Sequence, residues 1–233
     1  MKVRMLDHIA LYMADRDAAA DFLTSYLGFH VVDRTDRYTL VGAGGRLGKL
    51  TLFDAPEGEP TSPGVIGRID VRVADPVSAA ALLPPEAGEA PGQEDGVYPF
   101  TGPEGLPLAL VRREGDFTDY DLDGVVLRSA EPEASARGFV EMGFEPGGDA
   151  TTVASGGYRV RFVSPAPDGD ERPMLFHLGC LVDSAEDHRE EAERKGLEVQ
   201  NWVEGPNTLA VFVEGPEGVS VEYVEHKPNF SLT

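Results

Sequence analysis

The chain is poor in cysteine, in tryptophan and in positive charge. Its 233 residues include one cysteine, Cys180, and one tryptophan. A single thiol cannot form an internal disulfide, so the fold must rest on a packed core, and a reducing compartment fits. Basic residues number 20 against 41 acidic ones, a formal net charge of −21. That argues against DNA or RNA as a partner, since such binding needs basic surface to displace counterions. It also disfavours anionic membrane surfaces. The excess charge reads as a solvated surface. Long apolar runs are missing as well: none approaches a membrane span. The opening MKVRMLDHIALYM is too polar and interrupted for a signal peptide. The expectation is a soluble cytoplasmic protein with a small-molecule partner, homo-oligomerisation being left open.

What is present is a repeat. LDHIAL (6–11) returns as LDGVVL (122–127), LGF (27–29) as MGF (142–144), APEG (55–58) as APDG (166–169), and PEGLPLALV (103–111) as PEGVSVEYV (216–224). Four matches in one order, at nearly one displacement, indicate two homologous halves. Their expected bounds are residues 1–113 and 119–233, with the charged, turn-prone RREGDFTDYD (112–121) as linker. Each half divides again. LDHIALYMAD (6–15) alternates like a strand, Asp15 is placed to cap a helix ending at Gly28, and strands are expected near 30–34, 37–42 and 47–53. The second unit opens with a strand at 67–75 and a helix at 76–83. A Pro/Gly-rich loop (84–96) and strands at 97–100 and 106–112 follow. The third runs strand 121–128, helix 131–142 and strands to 164. The fourth runs strand 174–182, helix 184–195 and strands to 226, with Ser184 and Asp187 as a capping box. The fold class is α+β: four βαβββ modules.

The stretches LDHIALYMADRDAAADFLTSYLGFHVV, FHLGCLVDSAED and PEGVSVEYVE resemble the vicinal oxygen chelate superfamily. This is the group of glyoxalase I, the bleomycin and fosfomycin resistance proteins and the extradiol dioxygenases. The resemblance spans nearly the whole chain and implies two tandem domains with curled mixed sheets. It also implies that two modules pair to form a cup. Metal ligands then come from a module's first strand, usually His, and its last strand, usually Glu. Module one offers His8, but its last strand, GKLTLFD, has no acidic residue at the inward positions. Module two has Arg68 and Ala109 at the two positions. Module three has Gly124, with only Arg159 and Arg161 in its last strand. Module four keeps both, as His177 and Glu222.

His8, His177 and Glu222 are therefore the candidate metal ligands. Two His and one carboxylate match the facial triad of non-haem Fe(II) enzymes, so Fe(II) is the first expectation, with zinc, manganese or nickel as alternatives. If modules three and four pair, their cup holds Gly124, His177 and Glu222 and is one ligand short. If modules one and four pair, all three ligands meet. The second arrangement is preferred because it concentrates the losses in one dead cup.

The bland readings stand beside these. A His on an apolar strand is commonly a core residue, and Glu222 could face water. His226 is the candidate acid or base, with a surface position near the tail as its alternative. His30 and His188 read as exposed, and Cys180 as core. VGAGGRLG (41–48) lacks phosphate-loop spacing and reads as a hairpin turn. The resemblance implies an extradiol-type dioxygenase acting on a small catechol-like substrate. The alternatives are a glyoxalase-like lyase or isomerase, and a metal-free binding or resistance protein in which Arg68, Arg159, Arg161 and Lys49 hold an acidic ligand. An inactive scaffold is a third alternative.

Overall fold

The computed structural model describes residues 1–43, 49–56, 62–88, 96–113, 120–166 and 173–230. Most of the expected glycine hairpin (44–48), the middle of the linker (114–119) and part of the Pro/Gly-rich loop (89–95) lie outside the described residues.

Module one contains β1 (Met5–Met13), α1 (Arg16–Tyr26), β2 (His30–Arg34), β3 (Tyr38–Gly42) and β4 (Lys49–Asp54). The Asp15 carboxylate accepts from the Ala18 amide and so starts α1; Gly28, at φ +65°, carries the chain out of it. Module two contains β5 (Ile66–Val73), α2 (Pro76–Ala80), β6 (Val97–Thr101) and β7 (Pro107–Arg112). Two strands follow its helix among the described residues, not three. Its helix also stops short of the expected 83, one turn before Pro84 and Pro85, which cannot continue it. Module three contains β8 (Asp121–Arg128), α3 (Pro132–Glu141), β9 (Glu145–Pro146), β10 (Thr152–Ser155) and β11 (Tyr158–Val163). Module four contains β12 (Leu175–Leu181), α4 (Ala185–Lys195), β13 (Val199–Glu204), β14 (Thr208–Glu214) and β15 (Ser220–His226). Ser184 caps α4 by accepting from the Asp187 amide.

The strands form two mixed sheets. The larger has the order β13-β14-β15-β12-β1-β4-β3-β2 and joins modules four and one. The smaller has the order β6-β7-β5-β8-β11-β10-β9 and joins modules two and three. Each sequence half thus gives one module to each sheet. The seam of each sheet is an antiparallel pair of first strands, β1 with β12 and β5 with β8. Apolar side chains from both sheets and from the helices merge into one buried cluster that includes Leu6, Ile9, Val71, Phe139 and Tyr223. Two Pro-Glu-Gly turns clasp the sheets together. Glu104, between β6 and β7, accepts from the amides of Ala14 and Asp15 at the start of α1. Glu217, between β14 and β15, accepts from the hydroxyls of Ser129 and Ser135 beside α3. Both glutamates sit at positive φ, 56° and 61°, which is unfavourable for a residue with a Cβ and is offset by these bonds.

Candidate metal centre

Bulges shape the seam of the larger sheet. Leu6 pairs with Cys180 and His8 with Gly179, so Asp7 is the extra residue of β1. Ala10 pairs with His177 and Leu11 with Leu175, so Phe176 is the extra residue of β12. A bulge re-aims side chains, which is how it serves a site. Here Asp7 turns back onto its own neighbour, its Oδ2 lying 2.9 Å from His8 Nδ1.

Three residues form a row across the sheet: His8 on β1, Gly179 opposite it on β12, and Glu222 opposite Gly179 on β15. A Cβ at 179 would lie 2.1 Å from His8 Cε1, so only glycine leaves room for the imidazole. His8 Nε2 lies 3.2 Å from Glu222 Oε2, and His177 Nε2 lies 3.3 Å from the same oxygen. The two Nε2 atoms are 3.0 Å apart. The structure thus brings His8, His177 and Glu222 together, all nearly buried.

Burial alone would strip the charge from these groups, but their neighbours reverse that for two of them. Hydrogen bonds to Asp7 and Glu222, with their negative charges, push the His8 pKa up to about 9 against its burial. Against burial of its own, hydrogen bonds from both imidazoles hold Glu222 down at about 2. Burial, with the charge of His8, lowers the pKa of His177 and outweighs Glu222. Asp7 is held well below the carboxylate range, despite burial, by His8 and by Lys49, whose Nζ is 2.9 Å from Oδ1. Without a metal the cluster is a cationic His8 and a neutral His177 sharing one carboxylate.

The same donors suit a metal ion. Two ligands about 2.0–2.2 Å from one ion stand roughly 3.0–3.5 Å apart at tetrahedral or octahedral angles. The three separations here fall in that interval. Asp7 stands where the outer partner of a ligating His belongs, fixing the ring and its tautomer. His177 Nδ1 is buried with no hydrogen-bond partner, so packing positions that ring. Phe176, Phe212 and Phe53 surround it at centroid distances of 4.5, 5.2 and 6.3 Å. Thr51, paired with Ala10, occupies the register in module one that Glu222 occupies in module four.

The remaining sequence candidates fall elsewhere. His226 lies on the Glu222 face of β15, four residues on, and stacks on Phe230 at 3.5 Å. It makes no hydrogen bond or ion pair to the cluster among the described residues. Lys49 is buried and spent on Asp7, so it is not a free cation for a ligand. His188, expected to be exposed, is buried: its Nδ1 faces the Ser184 carbonyl and its ring packs on Tyr223. The polar α4 hides its inward face from any periodicity count. Cys180 is in the core as expected. The reading from sequence missed Asp7 and Gly179. The recurrence of LDH as LDG, with the Asp kept at 7 and 123, was the available signal for Asp7.

The smaller sheet repeats the seam. Gly67 is the extra residue of β5 and Asp123 that of β8. Its row reads Gly124, Asp70, Ala109, where the larger sheet has His8, Gly179, Glu222. Arg68 takes the register of His177, and Arg161, paired with Val126, that of Thr51. These positions hold no metal donors apart from Asp70, which is ion-paired to Arg68.

The family model described as Glyoxalase/Bleomycin resistance protein/Dioxygenase superfamily matches residues 5–223. No curated protein matches the sequence. Among solved structures, a putative dioxygenase from Bacillus subtilis subsp. subtilis str. 168 is similar at TM-score 0.72 and 17% identity, over 97% of this chain and 86% of that one. Glyoxalase I from Zea mays is similar at TM-score 0.74 and 16% identity, over 95% and 92%. The cppA protein from Streptococcus pneumoniae TIGR4 is similar at TM-score 0.62 and 14% identity, over 95% and 98%. At such identities these neighbours show the fold. No helix among the described residues is long and apolar enough to cross a membrane.

Proposed function

The chain belongs to the Glyoxalase/Bleomycin resistance protein/Dioxygenase superfamily, and on that premise we propose that it is a metal-dependent vicinal oxygen chelate enzyme of the extradiol-dioxygenase type, acting on a small catechol-like aromatic. The observation that carries this reading is the convergence of His8, His177 and Glu222, each ligand atom within 3.3 Å of the other two. Two imidazoles and one carboxylate are the donor set of non-haem Fe(II) sites, and zinc, manganese and nickel accept the same donors. A divalent ion held there would supply Lewis acidity at two adjacent substrate oxygens and, as iron, a place for O₂.

The chain's own residues prepare the site for that. Asp7 holds the Nδ1 proton of His8, so that Nε2 faces inward as a lone-pair donor once the ring is neutral. Lys49 fixes Asp7 in turn. Phe53, Phe176 and Phe212 make an apolar wall suited to an aromatic ring and exclude water from His177. His226, on the face of Glu222, is the candidate to accept a proton from a substrate hydroxyl. A glyoxalase-like reaction needs a further free carboxylate as base. Apart from Glu222, the carboxylate touching this cluster among the described residues is Asp7, and His8 and Lys49 already hold it. That favours the oxygenase over the isomerase.

The test is metal analysis of protein purified without oxygen and without an affinity tag, beside His177→Ala. Near-stoichiometric iron is expected, with oxygen uptake on adding catechol. The variant should lose metal affinity beyond the roughly 10–100-fold that removal of an outer partner costs. A different stoichiometric metal would move the reading to lyase or isomerase chemistry. No metal after Fe(II) is offered would overturn it and leave a metal-free binding protein.

A further inference from the structure

The second cup is not empty of chemistry. A cavity of about 600 Å³ opens over the smaller sheet, and four arginines reach it: Arg68, Arg113, Arg159 and Arg161. The chain has only 20 basic residues in all against 41 acidic, so this grouping runs against the charge of the whole molecule. Two of the four are neutralised in place. Arg113 grips Asp123 through two bonds of 2.8 and 2.7 Å. Arg68 Nε donates to Asp70 at 2.6 Å. The third acid at the cavity, Asp149, accepts from the amide and hydroxyl of Thr151, both at 2.9 Å. Arg159 and Arg161 remain. They alternate with the buried Tyr158, Val160 and Phe162 on β11, so they stand together on its open face. Neither makes a hydrogen bond or ion pair with a described residue, although the charge of Arg161 acts on the Asp149 carboxylate at the same cavity.

The comparison of registers gives these residues a meaning. Strand β11 is the last strand of its module, and Arg161 holds the place that Thr51 holds in module one. Arg68 holds the place of His177. Of the three donor registers of the larger cup, this one fills that of His177 with Arg68 and those of His8 and Glu222 with Gly124 and Ala109, while Arg161 adds a guanidinium at the register of Thr51. A guanidinium presents a rigid fork of donors that matches carboxylate and phosphate oxygens in pairs. The ion pairs Arg68–Asp70 and Arg113–Asp123 line the same cavity.

We infer that the cup of the smaller sheet is a second, metal-free site that binds a small organic anion, a carboxylate or a phosphoryl group, through Arg159 and Arg161. The surrounding charge of −21 repels anions in general, so binding would be local to this cavity, and it would weaken with salt. The inference does not rest on the metal reading of the first cup.

The experiment is calorimetric titration of metal-free protein at fixed ionic strength, once with inorganic phosphate and once with succinate. The proteins are wild type, Arg159→Ala/Arg161→Ala, and His177→Ala. Both arginines are exposed, so the double variant keeps its fold, checked by its melting temperature. Saturable binding of at least one probe to wild type is expected, with the double variant at least tenfold weaker and His177→Ala unchanged. Phosphate alone would identify a phosphoryl ligand, and succinate alone a carboxylate. No saturable binding of either probe, or equal binding by the double variant, would overturn the inference. Loss in His177→Ala with retention in the double variant would also overturn it and place the anion in the first cup. Metal content of the same proteins is read separately, so failure here and failure of the metal reading remain distinct.

Discussion

The two cups share one frame and differ in what stands on it. Each is seamed by an antiparallel pair of first strands, and each seam carries two bulges, one of which has a buried aspartate as its extra residue: Asp7 in the larger sheet, Asp123 in the smaller. In the larger sheet that aspartate orients an imidazole. In the smaller it grips Arg113. Four positions per cup decide the chemistry: His8, His177, Glu222 and Thr51 in one; Gly124, Arg68, Ala109 and Arg161 in the other. The backbone geometry is common to both cups. It presents four side chains in each, and on the proposals made above their identities set whether a cup takes a cation or an anion.

The largest expected contrast comes from adding one methyl group to each sheet. In the smaller sheet, a Cβ at Gly124 would lie 2.0 Å from the Arg159 carbonyl oxygen, at φ +157°. Backbone cannot yield there, so Gly124→Ala should destabilise the fold by about 3 kcal/mol or more, read by urea unfolding. In the larger sheet, Gly179→Ala meets the His8 ring instead. It should cost about 1–3 kcal/mol of stability but at least about tenfold in metal affinity, since the ring must turn away. Equal metal binding by Gly179→Ala and wild type would break the comparison.

The paired aspartates come next. Asp7→Asn should lower metal affinity about 10–100-fold. It should also destabilise by roughly 3 kcal/mol because Lys49 is left buried without its partner. Asp123→Asn should cost only about 1–2 kcal/mol, since Arg113 is about a third exposed and can turn to water; metal content should not change. Metal loss in Asp123→Asn would show that the cups are not independent.

The smallest effect belongs to the clasps. Glu217→Gly relieves about 1 kcal/mol of backbone strain yet removes the acceptor of Ser129 and Ser135, whose hydroxyls also bond each other. A net loss of about 1–2 kcal/mol is expected, with both cups keeping their ligands. A thermal shift of the folded protein at constant metal content checks it.

Much of this was legible in the residues. The strands follow from alternation, and the caps of α1 and α4 from Asp15 and Ser184. His8, His177 and Glu222 were legible through the family register, because His on a first strand and Glu on a last strand stand out among apolar neighbours. Their meeting was read only as the preferred of two module pairings, one with four, which the β1–β12 seam matches; nothing local to residue 8 refers to residue 177. The role of Lys49 was misread for a related reason. Its charge looks available until the bulge at Asp7 places a carboxylate against it. The early end of α2 had a local signal in Pro84 and Pro85. The burial of His188 is a tertiary fact, made by contacts with Tyr223 and the Lys2 backbone.

The order of the strands has a consequence for synthesis. The smaller sheet is built from residues 66–163, nested within the larger, which pairs β1 with β12 across a separation of 169 residues at His8 and His177. As the chain leaves a ribosome, the inner sheet has all its strands while β1 has β4 but still lacks β12. Closing so long a loop is slow and entropically costly. The His8–His177–Glu222 cluster therefore cannot form until residue 222 has been made, well after the last strand of the arginine cup, β11, has left the ribosome.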